Sequence, residues 1–214
     1  MNITIIGAGN MGRAIGTRLA AGGHSITYVD VNPEAAEKTA AEVKTAARKD
    51  AAVSTASLGK MTLGEVVVLA VWYGANLEIA RQLGAKLAGK VVVDIANPLN
   101  ATYDGLVTAP DSSSAEDLAK AAVAGAKVVK AFNTTFAGTL VAGRVAGQPL
   151  DVFIAGDDAD AKAKVAGLVT DGGMRPIDAG PLSRARQIEA MQFLHITLQG
   201  VLGTNWVSTI KIIS

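Results

Sequence analysis

The chain has no cysteine and only two histidines, His24 and His195. Disulfides, thiolate nucleophiles and sulfur-ligated metals are excluded together, and a histidine-built metal site has too few ligands. Charge of either sign is not in excess: 20 Lys and Arg stand against 19 Asp and Glu. A balance of that kind predicts neither a nucleic-acid nor a membrane-surface partner. No apolar run approaches the roughly 20 residues of a membrane span, and the N-terminus reads as a core strand rather than a signal peptide. A soluble, cytoplasmic protein is expected. No Ser–His–Asp set, P-loop or paired-carboxylate motif is present, so hydrolysis and phosphoryl transfer have no visible machinery.

What the chain does have begins at once. Ile3 to Ile6 is a β-branched run that leads into Gly7-Ala-Gly-Asn-Met-Gly12, and a helical pattern follows. In such a strand–turn–helix the first glycine permits the tight turn. The second lets a pyrophosphate approach the backbone, and the third lets the helix pack on the sheet. The free N–H groups and dipole at the helix start favour a phosphate anion. Asp30 closes the next apolar run, where a carboxylate can accept hydrogen bonds from the adenosine ribose. The arrangement predicts a dinucleotide-binding protein.

Strand and helix patterns alternate along the 214 residues, which predicts an α/β fold: a doubly wound parallel (Rossmann) sheet covered by helices. Strands are expected over Asn2–Ile6, Ser25–Asp30, Ala52–Ala56, Val66–Val71, Lys90–Ile95 and Lys127–Phe132. Helices are expected near Arg13–Ala21, from Asn32-Pro33-Glu34 to Arg48, over Asn76–Leu87, and from a Ser114-x-x-Asp117 start to Ala124. A boundary near Gln148-Pro149 divides residues 1–148, the dinucleotide-binding domain, from residues 149–214, a small C-terminal α/β addition. That addition carries strands Asp151–Ala155 and Arg175–Asp178, helix Asp158–Thr170 and a long helix near Leu182–Leu202.

Ligands of such sheets lie beyond the carboxyl ends of the strands, where the strand order reverses. The groups placed there are Gly7, Gly9, Asn10, Met11 and Gly12, then Asp30 and Asn32, Ala70, Val71 and Trp72, Asn97 and Pro98, and Asn133. Asp30 repels a 2′-phosphate, and Val31-Asn32-Pro33 offers no cation to neutralise one, so NAD(H) is expected over NADP(H). Trp72-Tyr73 could flank the dinucleotide or an aromatic acceptor, or could pack under the next helix. Asn97 and Asn133 could bond the carboxamide or ribose of a nicotinamide, or could serve as turn residues alone. His195, among apolar neighbours on the last helix, is expected to pack or to meet a partner subunit, and His24 to be structural. Arg186 and Glu189 are spaced for an i,i+3 surface pair. Lys127 and Lys130 fall within a strand and are expected at a solvated edge. No catalytic side chain stands out. Hydride transfer needs few, because the cofactor carries the chemistry.

Further segments occur in order: Gly22-Gly-His24, Val92-Val-Asp-Ile-Ala-Asn-Pro98, Lys130-Ala-Phe-Asn-Thr-Thr135 and Asp178-Ala-Gly-Pro-Leu182, followed by Arg184-Ala-Arg-Gln-Ile-Glu189. With the glycine turn and Val66–Val71, they resemble the NADPH-dependent 8-hydroxy-5-deazaflavin reductase family over essentially the whole chain. Small bacterial dinucleotide-binding oxidoreductases of that group are the nearer likeness, and a related module is the cytoplasmic reductase domain of the six-transmembrane metalloreductases. The resemblance implies hydride exchange between NADP(H) and a deazaflavin or flavin-like acceptor in a homodimer. It places Gly9, Asn10, Met11 and Gly12 at the pyrophosphate, Ala70 and Val71 along the dinucleotide, and Asn97 and Asn133 near the nicotinamide. It departs at Asp30-Val31-Asn32, where those reductases carry a hydroxyl residue and arginines that hold the 2′-phosphate. Two other readings stay open: an imine or carbonyl reductase resembling pyrroline-carboxylate reductase, and a non-catalytic dinucleotide sensor or redox-partner subunit.

Overall fold

In the computed structural model, which describes residues 1–59 and 61–213, one eight-stranded sheet runs through the molecule. Its elements follow in chain order as β1 (Asn2–Ile6), α1 (Asn10–Ala21), β2 (Ser25–Val29), α2 (Pro33–Lys44), β3 (Val53–Thr55), β4 (Val66–Leu69), α3 (Tyr73–Leu83), β5 (Val91–Asp94), α4 (Ser114–Ala121), β6 (Lys127–Lys130) and α5 (Ala137–Ala142). A short hairpin, β7 (Arg144–Val145) and β8 (Gln148–Pro149), precedes β9 (Asp151–Gly156), α6 (Ala159–Asp171), β10 (Arg175–Gly180) and α7 (Ala185–Leu202). The strand order is β10-β9-β6-β5-β4-β1-β2-β3. It reverses between β1 and β4, so a crevice opens at their carboxyl ends.

The central strands are apolar because helices cover both faces: all four residues of β4 are buried, and all four of β5. Helix starts follow local chemistry. The Asn32 side chain accepts from the N–H groups of Glu34 and Ala35 at 3.0 and 3.4 Å, with Pro33 in the first turn. Helix α4 is capped one residue earlier than the sequence pattern suggests. The Ser113 hydroxyl accepts from the Glu116 N–H at 3.1 Å and donates to the Glu116 carboxylate at 2.9 Å. Helix α5 and the β7–β8 hairpin were not expected; elements of six and two residues carry too little periodicity to be read.

The C-terminal strands continue the main sheet rather than starting another. β9 pairs with β6 antiparallel, Lys130 facing Ala155, and β10 pairs with β9 in parallel. This register carries the start of β9 past the end of β6, beside the loop from residue 131 onward. The tail after α7 crosses the same edge. Asp151 is buried and accepts from the Ile212 N–H at 2.8 Å, from Lys211 Nζ at 3.0 Å, and from Arg175 Nε at 2.8 Å. Arg175 also donates to the Ile212 carbonyl. Among the described residues, no helix is long and apolar enough to cross a membrane.

Burial raises the Asp151 carboxyl, but Arg175, the Ile212 N–H and Lys211 outweigh it and hold the group down at about 2. An acid whose folded value is depressed contributes stability above its unfolded value near 4, and that contribution is lost as pH falls toward 2. Asp151→Asn is expected to remove about 2–3 kcal/mol at neutral pH and to free residues 204–213. Hydrogen exchange of the tail checks this; unchanged protection would refute it.

Candidate functional site

The glycine turn is built by close contact. Gly7 has φ +103°, and a β-carbon there would lie 2.3 Å from the Ala70 carbonyl oxygen. A β-carbon on Gly12 would lie 2.0 Å from the Gly7 carbonyl. Neither position admits a side chain, so α1 and the end of β4 meet backbone to backbone. Gly9 differs: it is exposed, and a β-carbon there meets nothing within 4 Å. It is also the N-cap of α1, and among the described residues no side chain caps that helix. The first-turn N–H groups of Asn10, Met11 and Gly12 therefore have no intrahelical partner, which fits an anion seated over Gly9.

Asp30 sits at this turn in a role the sequence did not reveal. Its Oδ2 accepts from the Ala8 N–H at 2.7 Å and its Oδ1 from the Asn32 N–H at 2.9 Å. Thr39 donates to the Ala8 carbonyl at 2.8 Å, so the Ala8 peptides are tied on both sides. Asn32 spends its side-chain oxygen on capping α2. Val31 is fully exposed.

Ala70 and Val71 follow β4 directly, and Trp72 is 72% exposed at the N-cap of α3. Tyr73 turns away from it. Its hydroxyl donates to Asp117 at 2.7 Å, and burial together with that carboxylate pushes the phenol up to about 12. The two aromatic residues thus part company, one free and one packed.

Asn97 and Asn133 come together. Asn97 Nδ2 donates to the Asn133 carbonyl at 3.0 Å, and Asn133 Nδ2 donates to Asn97 Oδ1 at 2.9 Å. Pro98 is buried behind them. Asn133 Oδ1 and Thr134 Oγ1 are buried without a hydrogen-bond partner among the described residues. Phe132, which leads into this pair, is buried with φ +64°. A left-handed bulky residue costs about 1–3 kcal/mol, and such strain clusters at functional sites.

Beneath the pair lies a charge cluster. Lys130 was expected at a solvated strand edge; it is 0% exposed. Its Nζ stands 2.9 Å from Asp94 Oδ2 and 2.7 Å from Glu189 Oε1, the second contact poorly aligned as a hydrogen bond. It also donates to the Ala96 carbonyl. Asp94 Oδ1 accepts from the Ala96 N–H at 3.0 Å and from Asn76 at 2.9 Å, and Glu189 Oε2 accepts from the Ser114 N–H at 3.1 Å. Burial alone would lower the Lys130 value; the two carboxylates reverse this and raise it. Burial raises Glu189, and Lys130 offsets this only in part. Breaking a buried pair of this kind costs about 3–5 kcal/mol.

The i,i+3 pairing of Arg186 with Glu189 is corrected by the same cluster. Glu189 turns inward, and Arg186 forms a bidentate pair with Glu116 at 2.7 and 2.5 Å. A signal for the cluster was present: Asp94 and Lys130 end two adjacent apolar strands and face each other in register.

His195 is buried between Gln192 at 3.1 Å and Ser208 at 2.7 Å, and burial lowers its pKa. Its ring packs 4.6 Å from Phe136, which also meets Trp206 edge-on at 5.1 Å. His24 bridges the N-terminal amine and Asp171 at 3.3 and 3.1 Å, away from the crevice. Among the described residues, no group of three or more His, Asp or Glu side chains is placed to hold a metal ion.

Because Gly9 faces open space, Gly9→Val is expected to leave the melting temperature nearly unchanged while weakening dinucleotide binding at least tenfold. Gly12→Ala, which drives a methyl into the Gly7 carbonyl, is expected to unfold the protein instead. Calorimetric titration of the folded Gly9→Val variant checks the site, and wild-type affinity would refute it.

The chain is similar to known proteins. Residues 2–98 match the family model described as NADP oxidoreductase, coenzyme F420-dependent. A solved structure from Arthrobacter sp. FB24, assigned as an F420-dependent NADP reductase, superposes with a TM-score of 0.84 at 32% identity, covering 99% of both chains. The rat metalloreductase STEAP3 is 33% identical over 192 residues, 88% of this chain and 36% of that protein. The F420-dependent NADP reductase of Methanocaldococcus jannaschii is 36% identical over 143 residues, 63% of this chain and 62% of that one. The chain thus spans less than two thirds of either of these last two relatives. With a match to a solved relative over 99% of both chains, and with the family model matching the segment that holds the glycine turn, the chain belongs to the coenzyme F420-dependent NADP oxidoreductase family.

Proposed function

We propose that this protein transfers a hydride between a nicotinamide dinucleotide and a planar deazaflavin- or flavin-type acceptor bound beside it. The observation that carries this reading is the cradle: Gly9 lies open where Gly7 and Gly12 are closed by backbone. Gly9, Asn10, Met11 and Gly12 would hold the pyrophosphate, Ala70 and Val71 the body of the dinucleotide, and the Asn97–Asn133 pair the nicotinamide end. A reduced nicotinamide supplies the hydride when bound. The chain's own part is to fix its orientation and keep water out. Exposed Trp72 and the Phe136–His195–Trp206 cluster suit a flat aromatic acceptor better than a small keto acid.

NADH is the preferred dinucleotide in this reading, although the family description names NADP. A carboxylate about 4 Å from a 2′-phosphate is repelled by roughly 4 kcal/mol per unit charge at an effective dielectric near 20. Even a quarter of that is about fivefold in affinity. Two backbone N–H groups hold Asp30 in place, so it cannot swing aside without losing both bonds. Val31 brings no cation.

The test mixes pure protein with NADH or NADPH and a panel of flavin, deazaflavin, quinone and imine acceptors, following loss of nicotinamide absorbance. Oxidation by a flavin or deazaflavin, faster with NADH, is expected, and Asp30→Ser with Val31→Arg should reverse the preference. Turnover of pyrroline carboxylate or a 2-keto acid alone would overturn the acceptor class. Binding without any turnover would mark a dinucleotide sensor.

A homodimer is part of the same proposal. Leu194, Val201 and Leu202 are exposed along one stripe of α7, where a second copy would cover them. Sedimentation at about twice the 21.8 kDa chain mass is expected; a monomer that Leu194→Glu leaves unchanged would contradict it.

A further inference from the structure

The asparagine pair has no rigid element of its own. Asn97 lies three residues beyond the end of β5, and Asn133 three beyond the end of β6. Asn133 is buried and Asn97 half-buried, but both lie outside the strand ladder, and burial alone does not set which way their amides point. Here one buried ammonium reaches both strand ends. Lys130 is the last residue of β6, and its Nζ donates to the carbonyl of Ala96, the residue bonded to Asn97. The same Nζ holds Asp94, whose other oxygen takes the Ala96 N–H at 3.0 Å. Both peptides that flank Ala96 are therefore fixed from within the core. Asn76 on α3 and Ser114 on α4 complete the hydrogen bonds of the two carboxylates, and Glu189 brings α7 into the cluster. A lysine with no exposed surface is an expensive way to add stability, since well-packed apolar residues would serve as well. It is well suited to fixing geometry, because each bond has a direction.

Resting on the reading that Asn97 and Asn133 meet the nicotinamide end, we infer that Lys130, clamped by Asp94 and Glu189, is the positioning residue that presets the asparagine pair for the nicotinamide. Lys130 touches neither dinucleotide nor acceptor. It acts through the Ala96 peptide on one side and through the turn Phe132–Thr135 on the other, where the Thr135 side chain donates to the Phe132 carbonyl at 2.7 Å.

The test separates the nicotinamide end from the rest of the dinucleotide by comparing the affinities of NADH and ADP-ribose, which lacks the nicotinamide. It uses the full chain with Lys130→Met, and with the charge-neutral set Asp94→Asn, Lys130→Met and Glu189→Gln in case the single change does not fold. ADP-ribose affinity is expected to stay within about twofold of wild type, since the cradle at Gly9 is untouched. The added affinity of NADH over ADP-ribose is expected to fall at least fivefold, with a matching loss in kcat. Equal losses for both ligands, or a lower melting temperature with the NADH increment intact, would reduce Lys130 to a structural role and overturn the inference. Asn97→Ala with Asn133→Ala distinguishes the two levels. If that double change also leaves the increment intact, the placement of the nicotinamide is wrong and the inference falls with it. If it abolishes the increment while the Lys130 variants do not, only the positioning role fails.

Discussion

A β-carbon on Gly12 would stand 2.0 Å from the Gly7 carbonyl, and one on Gly7 2.3 Å from the carbonyl of Ala70. That three-way backbone contact sets the distance between α1, the end of β1 and the end of β4, and every group at the carboxyl edge takes its place from it. The strand order reverses at the same point, so the crevice and the start of α1 coincide. The contact is maintained from outside as well. Tyr28 is fully buried and donates its hydroxyl to the Gly12 carbonyl at 3.0 Å, with Gly16 giving it room. Asp30 and Thr39 hold Ala8 from the other side.

The two charged features of the edge do different work. Asp30 is partly exposed and uses both oxygens to shape the turn, and the preference for an unphosphorylated ribose proposed above would follow from where that turn needs a carboxylate. The Asp94–Lys130–Glu189 cluster is wholly enclosed and joins β5, β6, α3, α4 and α7 at one point. Two carboxylates and the Ala96 carbonyl surround the ammonium, while Asn76 Oδ1 has no partner among the described residues; pairing of this kind is the condition under which buried charge is tolerated. Above it, the strained Phe132 and the unpartnered Asn133 Oδ1 are the features that a folded state would shed unless the site required them.

Much of this could be read in the sequence wherever a local pattern has a single physical meaning. Three glycines between a β-branched run and a helix, an acid ending the second strand, and uninterrupted valine runs for strands covered on both faces led to the sheet and to the open glycine turn proposed to take the pyrophosphate. What could not be read depends on long-range pairing. Lys130 in a short strand looks like an edge residue until β9 is found beyond β6, closing that side and burying it. Arg186 and Glu189 look like helix partners until α4 offers Glu116 to one and the core offers Lys130 to the other. The mutual bonding of Asn97 and Asn133 depends likewise on β5 and β6 being neighbours. The family relationship, not the spacing, supplied the deazaflavin-type acceptor of the proposed reaction.

The central claim, direct hydride exchange across the crevice, is tested most directly with nicotinamide deuterated at its reducing carbon and an oxidised deazaflavin in ordinary water. The ring carbon of a reduced deazaflavin does not exchange its hydrogen with solvent, so the label records the route. Stoichiometric deuterium in the reduced acceptor is predicted, from one face of the nicotinamide only. Reduced acceptor carrying solvent hydrogen, or no reduction by a protein that binds the dinucleotide, would contradict the account.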